Sequence, residues 1–151
     1  MKGQTLIEVI VALSAAVLIV SAITMVVISS LNNAQYSRDQ DTATKYAQEG
    51  MEILRRIRNT DYQTFRGYNG TYCLAKGQKI LPSATSNCTA VNADNFVRRI
   101  QLEQAPGCGT NIAKATVTVA WTDGKCQSST TFCHKSELIS CFSTINPVQA
   151  P

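Results

Sequence analysis

Residues 5–31, TLIEVIVALSAAVLIVSAITMVVISSL, contain a single charged side chain, the carboxylate of Glu8. From Val9 to Leu31 there are 23 successive residues without a charge, and a helix needs about 20 apolar residues to span a bilayer. A cleavable secretory signal has a shorter apolar core, of about 7–15 residues, followed by a small-x-small site. This stretch therefore predicts a membrane-spanning helix and disfavours ordinary signal-peptide cleavage.

The charges on either side of this segment favour an amino terminus in the cytoplasm. Lys2 and the amino group precede it, whereas residues 38–41 beyond it contain one arginine and two aspartates. Because positive charge is retained on the cytoplasmic side, we expect a single-pass protein of the cytoplasmic membrane. The head that follows the segment is then expected outside.

The cysteines support export of that head. All six follow the apolar segment in a chain of 151 residues, which is typical of a disulfide framework in an oxidising compartment. The alternative is a zinc site formed by Cys126, Cys133, His134 and Cys141. These spacings lack the close Cys-x-x-Cys pairs of common structural zinc sites, so we predict no metal and no cofactor.

The stretch Lys2-Gly3-Gln4-Thr5-Leu6-Ile7-Glu8-Val9 resembles the prepilin-type processing motif of type IV pilins and type II secretion pseudopilins. In that family a peptidase of the inner membrane cuts after the glycine that ends a short basic leader, and it methylates the new amino terminus. The resemblance implies cleavage between Gly3 and Gln4, a methylated amine on Gln4 and an assembly role for Glu8. One departure is Gln4, because phenylalanine is usual at that position.

The carboxylate of Glu8 also calls for a partner on physical grounds. A charge in the bilayer core costs roughly 2.5–3.5 kcal/mol on insertion scales and is normally paired. No Lys, Arg or His lies within one turn of Glu8 inside the segment, so the available cation is an amino terminus. The amine of a neighbouring subunit would meet Glu8 at one axial offset only, which favours staggered parallel helices. The alternative is that Glu8 reaches the lipid headgroups from the membrane edge.

A second helical pattern follows the apolar segment. Between Gln35 and Arg58, apolar side chains recur at intervals of three and four and predict one buried stripe: Ala43, Tyr46, Ala47, Met51, Leu54 and Ile57. We expect one helix from about residue 5 to residue 58, and Gly50 within the stripe permits a bend or close packing. Residues 46–58 resemble, more loosely, the amphipathic part of minor pilins and pseudopilins.

The pattern beyond Asp61 predicts an irregular loop and then a sheet. Residues 61–95 are rich in Gly, Asn, Ser and Thr. Strand alternation follows around Ile100, although Arg98 interrupts its apolar face, and again along 115–122, with a further strand within 128–142. Asp123-Gly124 is a hairpin signal. We predict an α+β fold in which a long helix packs on an antiparallel sheet of three or four strands.

The predicted hairpin also bears on the disulfides. If Thr122 pairs with Lys125, Cys108 lies opposite position 139, close to Cys141. That register favours Cys108–Cys141, while Cys73–Cys88 closes the preceding loop and Cys126–Cys133 remains by elimination. Seven extended residues span about 23 Å, far beyond bridging distance, so the last pair requires a bend in residues 128–131.

Catalytic and nucleic-acid functions find little support. His134 is the only histidine and follows Cys133, but adjacent residues on a strand point to opposite faces. The chain has no Gly-rich phosphate loop and no carboxylate pair at a defined spacing, so we do not expect an enzyme. Few aromatics accompany the arginines, and we interpret these as solvated surface rather than a DNA-binding face: Arg55, Arg56, Arg58, Arg66, Arg98 and Arg99.

We therefore divide the chain into a leader (residues 1–3), a membrane and assembly helix (4–31), an amphipathic helix (32–60) and a cysteine-rich β-sheet head (61–151). The resemblance implies a structural subunit, more like a minor than a major one, of a type IV pilus or a type II secretion-like pseudopilus. Its partners would be other pilins or pseudopilins, the prepilin peptidase, an inner-membrane assembly platform and, before assembly, membrane lipid. The alternative is a membrane-anchored extracellular domain that binds a ligand or DNA and does not polymerise.

Overall fold

The computed structural model describes residues 4–104, 108–109, 112–123, 126 and 132–143, with side chains from residue 6 onward. Its elements in chain order are helices α1 (Gln4–Thr60) and α2 (Tyr62–Gly67), and strands β1 (Gly70–Cys73), β2 (Val97–Gln104), β3 (Ala113–Trp121) and β4 (His134–Phe142). The chain divides after Arg38 into two compact units, and the second contains residues 39–60 of α1 together with the sheet. The predicted α+β class is confirmed.

The sheet has four strands in the order β1-β2-β3-β4, and every neighbouring pair is antiparallel. Ile100 of β2 pairs with Val117 of β3, which in turn pairs with Leu138 of β4. Alternate residues of β3 are buried on the face that contributes to the core: Ala113, Ala115, Val117, Val119 and Trp121. The alternation predicted from residues 115–122 is therefore present in the structure.

The amphipathic stripe of α1 packs on this sheet. Ala43, Ala47 and Leu54 are fully buried, and Met51 is nearly so. A Cβ added at Gly50 would meet Cγ1 of Val117 at 3.0 Å, a distance that side chains rarely tolerate. Glycine at this position therefore brings the helix backbone close to the middle of β3, which is the close packing that the sequence suggested.

The segment expected to be an irregular loop contains two regular elements. Asp61 caps α2, because its Oδ1 accepts the backbone N–H groups of Gln63 (2.9 Å) and Thr64 (3.1 Å). The Thr64 hydroxyl and these amides lower the pKa of the Asp61 carboxyl. β1 pairs with β2 in the register Tyr72 to Ile100. The loop prediction was wrong at these positions because such short elements depend on a cap and on a distant partner strand.

The connection between β3 and β4 also differs from the predicted tight hairpin. Trp121 pairs with His134, so the register that placed Thr122 opposite Lys125 is wrong. That register would have put Thr130 opposite Val117, whereas the observed one puts Leu138 there and Phe142 opposite Ala113. Apolar burial therefore sets the pairing, since Phe142 is 2% exposed and Leu138 packs against the core.

Candidate functional site

The first part of α1 exposes an apolar surface. Its large apolar side chains between Leu6 and Leu31 are exposed by between 49% (Val27) and 73% (Met25). The most apolar window of the helix has a mean hydropathy of 2.7, and none of it is buried. Such a helix is long and apolar enough to cross a membrane, and its position at the amino terminus suits either an anchor or an export signal.

Three hydroxyl groups in this segment bond to carbonyls of the same helix. Ser14 donates to the carbonyl of Ile10 at 2.7 Å, and Ser21 donates to that of Val17 at 2.8 Å. Thr24 bonds in the same way four residues back. Since a polar group without a partner is costly in an apolar environment, these bonds make the helix surface compatible with lipid or with a neighbouring apolar helix.

Glu8 interrupts this apolar surface. Its side chain is exposed, and no ion pair involves it within the part of the chain that the structure describes. Gly3 lies outside the described residues, and Gln4 is described only by its backbone, as the first residue of α1. Cleavage after Gly3 and methylation of Gln4 thus remain predictions, while the Glu8 carboxylate is open to a cation from another molecule.

Arg98 is the one fully buried charged group among the described residues of the head, with 0% of its surface exposed. Its Nε donates to the carbonyl of Leu74 (3.0 Å) and its Nη2 to that of Ala75 (2.7 Å). Nη1 donates to the carbonyl of Tyr46 (3.3 Å) and lies 3.1 Å from the Glu49 carboxylate. The interpretation of Arg98 as solvated surface was wrong, because these four acceptors take the place of hydrating water around its guanidinium. Their positions also show that Arg98, on β2, bonds both to α1 and to the residues after β1.

A second set of polar contacts joins Lys76 and Tyr46 to Asp94, near the end of the loop that precedes β2. Lys76 forms an ion pair with Asp94 at 2.7 Å, and the Tyr46 hydroxyl also donates to that carboxylate. These two bonds lower the pKa of Asp94, while its carboxylate raises the pKa values of Lys76 and Tyr46. Asp94 has a φ of 52°, a left-handed conformation that aspartate tolerates better than most residues.

The six cysteines form three disulfides, so no cysteine is free. The pairs are Cys73–Cys88, Cys108–Cys141 and Cys126–Cys133. These are the pairs expected from the sequence, although the hairpin register used for Cys108–Cys141 was wrong. The bridges indicate a domain outside the cytoplasm.

The residues of the alternative zinc set are separated into two places. Cys126, Cys133 and His134 lie together with Asp123, whereas Cys141 is bridged to Cys108. Cys133 precedes β4 and is not part of it, so the rule that adjacent strand residues face opposite ways does not separate it from His134. The sequence patterns did not identify Asp123 as part of this group, although its position near the start of the β3–β4 connection, three residues before Cys126, was an available signal.

The sheet also has a shallow groove beside β2 and β3. Its volume is about 360 Å³. Its lining combines apolar, amide and hydroxyl groups with one guanidinium: Asn87, Cys88, Thr89, Val97, Arg99, Thr118, Ala120 and Phe132. Among the described lining residues there is no carboxylate and no histidine, and the groups present suit contact with a ligand rather than acid–base chemistry.

No protein-family model, curated protein or solved structure matches the chain. The architecture is nevertheless pilin-like. It combines a long, apolar amino-terminal helix with a four-stranded antiparallel sheet on which the later turns of that helix pack. In this pilin-like chain, Glu8 is the charged residue of an otherwise apolar helix surface, and it lies in the first turns of α1.

Proposed function

We propose that this protein is a structural subunit, minor rather than major, of a type IV pilus or a type II secretion-like pseudopilus. It is cleaved after Gly3, methylated on Gln4 and assembled through the amino-terminal half of α1. The observation that carries the proposal is Glu8, an exposed carboxylate on a helix segment that is otherwise apolar and unburied. An anchor that functioned alone would gain nothing from a charge there.

The chemistry of helix association explains why one charge is useful. Lipid tails are as apolar as the helix surface, so the hydrophobic effect gives little preference for one helix–helix arrangement over another. An ion pair between Glu8 and the amine of a neighbouring subunit is strong in a medium of low dielectric constant. It forms at one axial offset, and it therefore selects one register among many apolar contacts of similar energy.

The proposed processing and assembly imply four kinds of partner. The prepilin peptidase would act on the leader, membrane lipid would hold the subunit before assembly, and an inner-membrane platform would bring it to other pilins or pseudopilins. After assembly the disulfide-bonded head would lie on a surface pilus or a periplasmic pseudopilus; its three bridges support a location outside the cytoplasm. We propose no catalytic activity for the head, and we interpret its arginines other than Arg98 as solvated surface rather than a DNA-binding face.

The second candidate is a membrane-anchored domain that binds an extracellular ligand and does not polymerise. The observation that favours it is the groove beside β2 and β3, which presents Arg99 and the hydroxyl of Thr118. Such a protein would keep residues 1–3 and would be absent from fibres.

Intact-mass measurement separates these functions. The protein is purified from membranes and from sheared surface or periplasmic fibres of the same cells. A pilin subunit should lack residues 1–3, carry one additional methyl group and be present in the fibre fraction. A chain that retains its amino terminus and remains in the membrane would contradict the proposal and support the anchored ligand-binding domain.

A further inference from the structure

The β3–β4 connection brings together four side chains of metal-binding type. They are Asp123, Cys126, Cys133 and His134, and one ligand atom from each lies within 4.8 Å of all the others. Nε2 of His134 is 3.0 Å from Oδ2 of Asp123, and Sγ of Cys126 is 3.6 Å from Oδ1 of Asp123. This cluster, the 123–134 cluster, belongs to the second unit of the chain.

These separations are close to those of a tetrahedral zinc site. With bonds of about 2.3 Å to sulfur and 2.0–2.2 Å to nitrogen or oxygen, neighbouring ligand atoms lie roughly 3.3–3.8 Å apart. The His134–Asp123 and Cys126–Asp123 distances differ from these values by a few tenths of an ångström. To bind a metal, the cluster would have to separate the two sulfur atoms, which are bonded to each other in the Cys126–Cys133 disulfide.

Neighbouring groups hold the cluster in a suitable orientation. The ring of Trp121 lies beside the imidazole of His134, with centroids 5.5 Å apart. The backbone N–H of Asp123 points to Sγ of Cys126 at 3.4 Å, which holds this sulfur beside the Asp123 backbone. The side chains of Asp123 and His134 are each 26% exposed, and Cys133 is exposed, so both a reductant and a metal ion can reach the cluster.

We propose that the 123–134 cluster is a redox-gated site for zinc or a similar thiophilic divalent cation. In the disulfide form the sulfur atoms are poor ligands, and the cluster binds no metal. A dithiol reductant opens the site by exchange: its two sulfurs become a disulfide, the Cys126–Cys133 bond breaks, and each cysteine gains a proton. Binding of the cation to two thiolates, the His134 imidazole and the Asp123 carboxylate then releases the two thiol protons.

Metal and disulfide are therefore mutually exclusive states of the β3–β4 connection. A cation bound to both thiolates would slow their oxidation to the disulfide. It would also cross-link the β3–β4 connection through four ligands in place of the disulfide. The inference does not rest on the proposed function, because a pilin subunit and an anchored domain would both carry the cluster outside the membrane.

The test uses the full-length protein in detergent, with Co²⁺ as a spectroscopic probe. One sample is oxidised; the other is reduced anaerobically with dithiothreitol, which is then removed. We expect the reduced protein to bind one Co²⁺ per chain with absorption bands of tetrahedral thiolate coordination, and Zn²⁺ to displace it. Zn²⁺ should also protect Cys126 and Cys133 from alkylation, while the other four cysteines react.

The variants identify the ligands. Asp123→Asn and His134→Gln should each weaken Zn²⁺ binding by about tenfold or more. Cys141→Ser is the matched control, because the reduced protein has already lost the Cys108–Cys141 bridge and binding should not change. Equal binding by oxidised protein, protection of cysteines outside the cluster, or loss of binding in Cys141→Ser would overturn the assignment. So would failure of the reduced protein to bind Co²⁺ while circular dichroism shows it folded.

Discussion

Arg98 is fully buried, and its guanidinium lies 3.1 Å from the half-exposed carboxylate of Glu49. The two residues come from β2 and from the amphipathic turns of α1. The pair is unequal, since Glu49 retains contact with water whereas Arg98 depends wholly on its protein partners. The backbone carbonyls of Leu74, Ala75 and Tyr46 are therefore as important to Arg98 as the carboxylate.

Because only Arg98 is fully buried, substitutions of Arg98 and Glu49 should lower the free energy of unfolding by different amounts. Arg98→Met removes the guanidinium donor from three backbone carbonyls, and the bond to Leu74 is fully buried. We expect the substitution to lower the free energy of unfolding by about 2–4 kcal/mol. Glu49→Gln keeps a hydrogen-bond acceptor near the surface and should cost less than about 1 kcal/mol. Denaturant unfolding of the two variants checks the order, with Arg99→Met as the control for the neighbouring residue. Equal losses for Arg98→Met and Arg99→Met would show that the buried network contributes little.

The leader can be tested at Gly3. We expect Gly3→Leu to block maturation, because a peptidase of the prepilin type needs a small residue at the cut, and the protein should then accumulate unassembled in the membrane. Gly3→Ala is the matched control and should be processed at least in part. The measurement is the mass of the amino-terminal peptide. If Gly3→Leu lost residues 1–3 and entered fibres, the pilin proposal would be wrong.

Glu8 is expected to function between subunits and not in the folding of its own chain. Glu8→Gln keeps the size of the side chain but removes the charge, so membrane insertion should be at least as efficient as before. Cleavage after Gly3 and formation of the three disulfides should be normal. Incorporation into fibres should fall, because the charge that selects the axial register is lost.

The comparison for Glu8→Gln needs three measurements in the same cells: membrane level, amino-terminal mass and amount in sheared fibres. Depletion from fibres alone, with the other two unchanged, supports the assembly role. Equal incorporation of variant and wild type would show that Glu8 only reaches the lipid headgroups.

Peptide mapping without reduction should recover the three bridges from the protein isolated from its own compartment. The expected pairs are Cys73–Cys88, Cys108–Cys141 and Cys126–Cys133, with no alkylated thiol. Removing a native disulfide from a small exported domain typically costs about 2–5 kcal/mol. The double variant Cys73→Ser, Cys88→Ser should therefore unfold at lower denaturant concentration than wild type. Recovery of other pairs, or of several alkylated cysteines, would contradict the connectivity.

The ion pair of Asp94 predicts a dependence of stability on acid. Its pKa is lowered by hydrogen bonds from Lys76 and Tyr46, so the folded state holds this carboxyl ionised more firmly than the unfolded state does. Its contribution is complete above the ordinary value of about 3.9 and is lost as the pH falls through the lowered pKa. Thermal unfolding of Asp94→Asn between neutral pH and about pH 2 should show a smaller loss than wild type. An unchanged pH profile would refute this role.

Much of the fold was determined by the sequence alone, because periodicity records burial directly. The uncharged run after Glu8 predicted the exposed apolar helix, and the three-and-four spacing around Met51 predicted the stripe that the structure buries. The alternation around Val117 predicted β3 in the same way. Each of these signals lies within one element, so no knowledge of a distant partner is needed to interpret it.

The tertiary structure decided what depends on residues far apart in the chain. The β3–β4 register follows from burial of Leu138 and Phe142 and not from the turn signal at Asp123-Gly124. Arg98 is buried because carbonyl groups 23 to 52 residues away accept its protons. Asp123 joins Cys126, Cys133 and His134 only because that register brings both ends of the connection together. A buried charge and a side-chain cluster are properties of such long-range pairings, since local patterns carry no information about which acceptors will be near.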